Sequence, residues 1–269
     1  MLRNAQDKSR RQIDGGLDMV FPISDDNTGR VRTPYVTYAL IALNVLVFVF
    51  LQGMGTNDRF TYAFSTVPQE IRTGQDVARD VPVEVGDERG TIPLQPTPGS
   101  VYLTLIVSMF MHGGLMHLLG NMLFLWIFGD NVEDDLSHLR YTAFYLVTGV
   151  IASLAHIVST FVFADNPFIP SLGASGAISG VMGAYLVLHP HRRVRVIVFR
   201  MLTDVPGYVA VGLWFVFQLI SAFGVIGQGP QAGGGVAFMA HIGGFVAGVV
   251  LVKLFAAGSQ PPGRRAPAW

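Results

Sequence analysis

The chain has 269 residues, 51% of them hydrophobic and only 13% charged, with 18 basic and 18 acidic side chains. That is about half the roughly 25% charge of an ordinary soluble domain, and the mean hydropathy is +0.45. High apolarity with zero net charge excludes a disordered chain, a coiled coil and a nucleic-acid-binding surface. The absence of cysteine excludes disulfides, thiolate nucleophiles and cysteine-ligated metals. What remains is an all-α polytopic membrane protein.

The first 34 residues are polar and lack an apolar core, so they read as a cytoplasmic tail without a cleavable signal. Their mixed charges suggest disorder over residues 1–32. Beyond them, residues 33–57, 90–129, 141–164, 166–191 and 205–252 contain no Asp, Glu, Lys or Arg. A helix crossing the hydrocarbon core needs about 20 apolar residues. The last stretch is broken by the glycine-rich run from Gly227 to Gly235 and holds two spans; the second stretch opens with Pro93, Pro96 and Pro98, leaving one in its later half. Six transmembrane helices are therefore expected, near 35–54, 113–131, 141–163, 175–189, 206–226 and 236–256. A long outer loop covers 55–112, in which residues 62–71 suit a short interfacial helix and 81–85 alternate like a strand. The membrane domain runs from 35 to 256, and 257–269 form a second tail.

Orientation follows from Lys and Arg in the connections. With the N-terminus inside, 14 lie in inner segments and four in the outer loop (Arg59, Arg72, Arg79 and Arg89), which places both termini in the cytoplasm.

Polar side chains within spans are costly and mark function. The second helix opens with His112, His117 and Asn121, the last two on one face one turn apart. The fourth opens with Gly173-Ala174-Ser175-Gly176, and the sixth carries His241 some five residues in. All three helices run inward, so a serine, two histidines and an asparagine share one depth. These residue types suit nucleophilic catalysis: imidazole removes the serine proton, and asparagine, histidine or helix N-terminal N–H groups hold an oxyanion. Gly176, Gly180 and Gly183 on one helix, with Gly244 and Gly248 on the other, form small faces that let the two approach closely. His112 and His117, five apart, fall on different helical faces; with no His-Glu-x-x-His motif and no carboxylate in this layer, no metal and no cofactor is expected. His189 with His191 reads as an interfacial turn, His156 as packing and His138 as a surface residue.

Three motifs in order, His112…His117-x-x-x-Asn121, Gly173-x-Ser175-Gly176 and Ala240-His241-x-x-Gly244-x-x-x-Gly248, resemble those of the rhomboid family of intramembrane serine proteases. The resemblance covers about residues 34–255 and fits a six-helix, bacterial-type member. It implies Ser175 as nucleophile, His241 as general base, and an oxyanion hole from Asn121, His117 and the Ser175 backbone N–H. It also implies cleavage of single-span membrane proteins near the outer face of a bacterial cytoplasmic membrane, with Gly227–Gly235 as a mobile cap over the site. Some rhomboids carry, four residues after the nucleophile, a tyrosine that stacks on the histidine; here that residue is Ser179, and no Asp or Glu stands by to orient the ring. A non-catalytic membrane chaperone or adaptor on the same scaffold is the alternative. A channel or transporter is disfavoured by the lack of paired interior charges and of an inverted repeat.

Overall fold

The computed structural model describes residues 21–85, 88–198, 201–226 and 237–259. In chain order the elements are β1 (Phe21–Asp25), α1 (Tyr35–Leu46), α2 (Asp58–Phe64), α3 (Pro68–Thr73), β2 (Asp80–Val85), β3 (Glu88–Pro93), α4 (Leu115–Leu136), α5 (His138–Val162), α6 (Ser175–Leu188), β4 (Arg193–Val198), β5 (Met201–Pro206), α7 (Gly207–Ile226) and α8 (Phe238–Ala256). Among the described residues three helices, α4, α5 and α8, are long and apolar enough to cross a membrane. Tyr35–Leu51, Val101–Phe110, Ser175–Leu188 and Gly207–Ala222 are shorter apolar helical stretches.

The helices stand where the charge-free stretches put them, with instructive exceptions at their ends. α1 continues through a π-helical turn, Val47–Leu51, and stops where Gly53 takes a positive φ. α4 runs one turn past its expected end, to Leu136. The acidic residues of that last turn do not terminate it because they are partnered. Buried Glu133 accepts bonds from the Val36 and Thr37 N–H groups (2.9 and 2.7 Å) and from the Thr37 hydroxyl (2.7 Å), and lies 2.6 Å from His138 Nδ1. The N-terminus of α1, which has no side-chain cap of its own, is thereby capped by a carboxylate from another helix.

An all-α description needs correction: among the described residues five strands lie outside the helices. β1, β4 and β5 form an antiparallel sheet in that order, and β2 pairs with β3 over Asp80–Val85. β4 reads Arg193-Val-Arg-Val-Ile-Val, alternating exposed arginine with buried Val194 and Val196, a half-buried strand hidden inside a basic connection. The polar N-terminal segment contributes β1 to it, so the expected disorder does not extend over residues 21–32. In the outer loop the single helix expected near 62–71 is two, α2 and α3. Ser65 and Val67 are extended between them, as the residue before Pro68 prefers.

α6 sits at the centre, buried from Gly176 through Tyr185 and packed against α4, α5 and α8. Its glycines set the spacing. A Cβ on Gly244 would overlap the Gly176 carbonyl oxygen, and one on Gly248 the Gly180 carbonyl oxygen. The opposite stripe of α8 (Val246, Val250, Leu254) is large, apolar and exposed, an arrangement that suits lipid.

Candidate active site

The chain leaves the run of helical turns ending at Phe110 and reaches Gly114 before α4 begins. His112 is therefore outside the helix, and the different-faces argument for the two histidines does not hold. Their rings pack edge to face with centroids 5.2 Å apart. Gln52 fixes His112 through its backbone, donating to the His112 carbonyl (3.0 Å) and accepting from its N–H (2.9 Å). His117 Nδ1 accepts a long bond from the Gly113 N–H (3.4 Å), which leaves Nε2 as the protonated nitrogen. That nitrogen lies beside Gly173: a Cβ there would stand 3.1 Å from His117 Nε2 and 3.7 Å from Ser175 Oγ. Gly173 has φ +130, and its N–H bonds the Ser108 carbonyl at 2.9 Å. A residue with a side chain would be strained in this conformation and would fill the space between histidine and serine.

Ser175 is the first residue of α6, so its N–H belongs to the unpaired first turn of a helix. Its hydroxyl lies 2.8 Å from His241 Nε2, across 66 residues of sequence. His241 sits in the first turn of α8, and the glycine contacts between α6 and α8 bring these two helix starts together. The other ring nitrogen, Nδ1, lies 2.8 Å from Gln218 Oε1 on α7. Trp214 and Phe238 flank the ring, with centroids 6.1 and 6.3 Å away. Asn121 lies on α4 one turn beyond His117. Its Nδ2 is buried and makes no hydrogen bond to the described residues, a donor without an acceptor.

Beside Ser175 is a cavity of about 30 Å³ lined by Met109, Gly149, Ala152, His156, Gly173 and Gly176 among others. Its size suits one small side chain. His156, expected as a packing residue, faces this cavity. Ser179 donates to the Ser175 carbonyl at 2.6 Å, within its own helix. The ring partner of His241 is instead Gln218, a residue not among those expected at the site. Its signal was present: a lone amide among the apolar residues of the fifth expected span. His138 and His189 meet acidic partners at the other end of the helices, Glu133 at 2.6 Å and Asp135 at 2.9 Å. Residues Gly227–Gly235, expected to form a cap, lie outside the described residues. Among the described residues no group of three or more His, Asp or Glu could hold a metal ion.

A family model for the rhomboid domain matches residues 99–258, more than half the chain. The protein belongs to the rhomboid family. It is a helical, multi-pass membrane protein carrying a rhomboid domain. Rhomboid protein 1, mitochondrial, of Saccharomyces cerevisiae is 32% identical over 148 residues, covering 55% of this chain and 40% of that protein. Rhomboid protease GluP of Bacillus subtilis is 32% identical over 155 residues, 57% of this chain and 24% of that one. Presenilin-associated rhomboid-like protein, mitochondrial, of Homo sapiens is 35% identical over 103 residues, 38% of this chain and 27% of that one. The matched regions thus span less than half the length of these curated relatives. This rhomboid domain includes Ser175, His241, His117, Asn121 and Gln218 within its matched bounds.

Proposed function

We propose that this rhomboid is an intramembrane serine endopeptidase that cuts single-span membrane proteins near the outer face of the bilayer. The observation that carries the reading is the 2.8 Å contact between Ser175 Oγ and His241 Nε2, at the starts of two helices locked by glycine contacts. A serine hydroxyl becomes a competent nucleophile when a base within hydrogen-bond reach accepts its proton. Ser175 Oγ attacks the scissile carbonyl while His241 Nε2 takes the proton. The oxyanion that forms is held by the Ser175 N–H, the His117 Nε2–H and the idle Nδ2 of Asn121. His241 then returns the proton to the leaving amine, and water hydrolyses the acyl-enzyme by the same relay. The small cavity beside Ser175 favours a small side chain next to the cut.

Six spans with both termini in the cytoplasm fit the charge asymmetry and put the Ser175 layer toward the outer face. In a bacterium this would be the cytoplasmic membrane. The test is cleavage of a panel of single-span segments in proteoliposomes, with the cut bond located by mass spectrometry. Cuts in the outer half of the segment are expected. Ser175→Ala and His241→Ala should each remove all but a trace of turnover, a loss on the order of 10⁶-fold, while remaining folded. Undiminished cleavage by either variant would sink the assignment of Ser175 and His241, and a folded wild type that cuts no segment would favour a non-catalytic adaptor.

A further inference from the structure

We infer that Gln218 is a positioning residue: its side-chain carbonyl holds the His241 imidazole in the tautomer that leaves Nε2 free to accept the Ser175 proton. The inference rests on the catalytic reading of Ser175 and His241. A neutral imidazole has one N–H and one lone pair, and whatever the second nitrogen bonds decides which is which. Gln218 Oε1 can only accept. At 2.8 Å from Nδ1 it requires the proton there, and Nε2, 2.8 Å from Ser175 Oγ, keeps its lone pair. Were the amide turned over, its NH₂ would donate to Nδ1, the proton would move to Nε2, and the ring would donate to Ser175 instead of deprotonating it.

The other groups around the ring cannot do this. Ser179 is engaged with the Ser175 carbonyl at 2.6 Å. Trp214 and Phe238 offer faces and edges that bracket the ring without an in-plane acceptor. Gln218 itself is buried, and its position relative to His241 is set one turn away on each helix. There Phe215 of α7 stacks on Phe245 of α8, with centroids 4.1 Å apart and planes at 17°. Phe215 precedes Gln218 by about one turn and Phe245 follows His241 by one, so the ring stack fixes the pairing of amide and imidazole. An amide also fits the surroundings. A carboxylate here would be a buried charge among apolar side chains, whereas an amide orients the ring without one. In the reaction the Nδ1 proton stays on Nδ1; the proton that moves goes from Ser175 Oγ to His241 Nε2.

The experiment follows the covalent reaction of Ser175 with a fluorophosphonate in the detergent-solubilised full chain, separating the maximal rate from the apparent affinity. Wild type is compared with Gln218→Met, which removes the acceptor at similar volume, and Gln218→Glu, which keeps one. Gln218→Met should lower the maximal rate about ten- to a hundredfold, below the full contribution of a general base, with apparent affinity unchanged. Gln218→Glu should recover most of the rate. In parallel, the ¹⁵N spectrum of histidine-labelled wild type, with His241 assigned from its loss in His241→Ala, should show a protonated Nδ1 and a bare Nε2. This second readout decides the matter even if Gln218→Met does not fold. A proton on Nε2, or a Gln218→Met protein that reacts at the wild-type maximal rate, overturns the role of Gln218 while leaving the catalytic pair standing. A folded wild type that never forms the Ser175 adduct overturns both.

Discussion

The two ends of the helices solve different problems with different chemistry. At the end where β1 meets the last turn of α4, charges and amides interlock. Arg30 pairs with Asp130, and Asn131 donates to Asp25 (2.6 Å) and Asn27 (2.9 Å) while accepting from Arg192. The Tyr185 hydroxyl donates to Asp25 at 2.9 Å, and Asp134 accepts from the Val31 and Arg32 N–H groups at 3.1 and 2.6 Å. Arg140 meanwhile serves the carbonyls of Phe255 and Ala257 at the end of α8. Around Ser175 the polar groups are uncharged side chains and backbone, few in number, and Asn121 Nδ2 and both ring nitrogens of buried His112 have no partner among the described residues. Glycine contacts hold the helices there in place of polar bonds. The first end pairs its charged groups and anchors the fold. The second keeps donors idle and an imidazole within reach of a serine, which on the proposed function is what a site for a developing oxyanion requires.

If that division is right, substitutions at the two ends should separate stability from reaction rate. The largest stability effect belongs to Glu133→Ala, which leaves the Val36 and Thr37 N–H groups, the Thr37 hydroxyl and His138 without their carboxylate. A loss of roughly 3–5 kcal/mol is expected, read as a fall in Tm in detergent, with Ser175 labelling unchanged below the unfolding transition. A loss under about 1 kcal/mol would break the comparison. Next is Asn121→Ala. It should slow cleavage about 10²–10³-fold for one oxyanion donor, yet leave Tm level or raise it, because an unsatisfied buried amide disappears. Marked destabilisation with unchanged rate would move Asn121 to the structural side.

The last effect is on the pH dependence of stability, a slope of at most about 1.4 kcal/mol for each pH unit, and belongs to Asp25. Burial, reinforced by nearby Asp130, raises its carboxyl from 3.8 to about 7, against the opposing pull of Tyr185, Arg192 and Asn131. A carboxyl raised on folding binds its proton more tightly in the folded chain. Its contribution to stability is complete below pH 3.8 and is lost as pH rises through about 7. Thermal unfolding of Asp25→Asn should lack this part of the fall in stability. An unaltered pH profile would show that Asp25 titrates alike in both states.

The same division explains what could be read from the sequence. Hydropathy reports which segments leave water, so the stretches free of charge mark the helices to within a few residues. Ser175, His241, His117 and Asn121 stand out because each is a polar side chain near the start of an apolar helix, and the structure brings Ser175 against His241 and His117 beside Gly173. Hydropathy is blind to polar groups that find each other over long separations. Asp25 meets Tyr185 across 160 residues, and Glu133 caps a helix nearly a hundred residues before it. The charges at the end of α4 therefore looked like a loop and are a helical turn. The Arg-Val alternation of β4 looked like a basic connection and is a strand, because its partner β1 lies in a segment too polar to suggest one. Gln218 was hidden for the opposite reason: a single amide does not disturb an apolar span, and only the fold reveals that it faces His241.

The central claim is that His241 activates Ser175. The most direct test treats the full chain with a fluorophosphonate, digests it and locates the adduct by mass spectrometry, with Ser175→Ala and His241→Ala run alongside. The account predicts a covalent adduct on Ser175 that is absent from Ser175→Ala and lost from His241→Ala while both variants remain folded. An adduct that persists in His241→Ala at the wild-type rate, or a folded wild type that forms none, would contradict it.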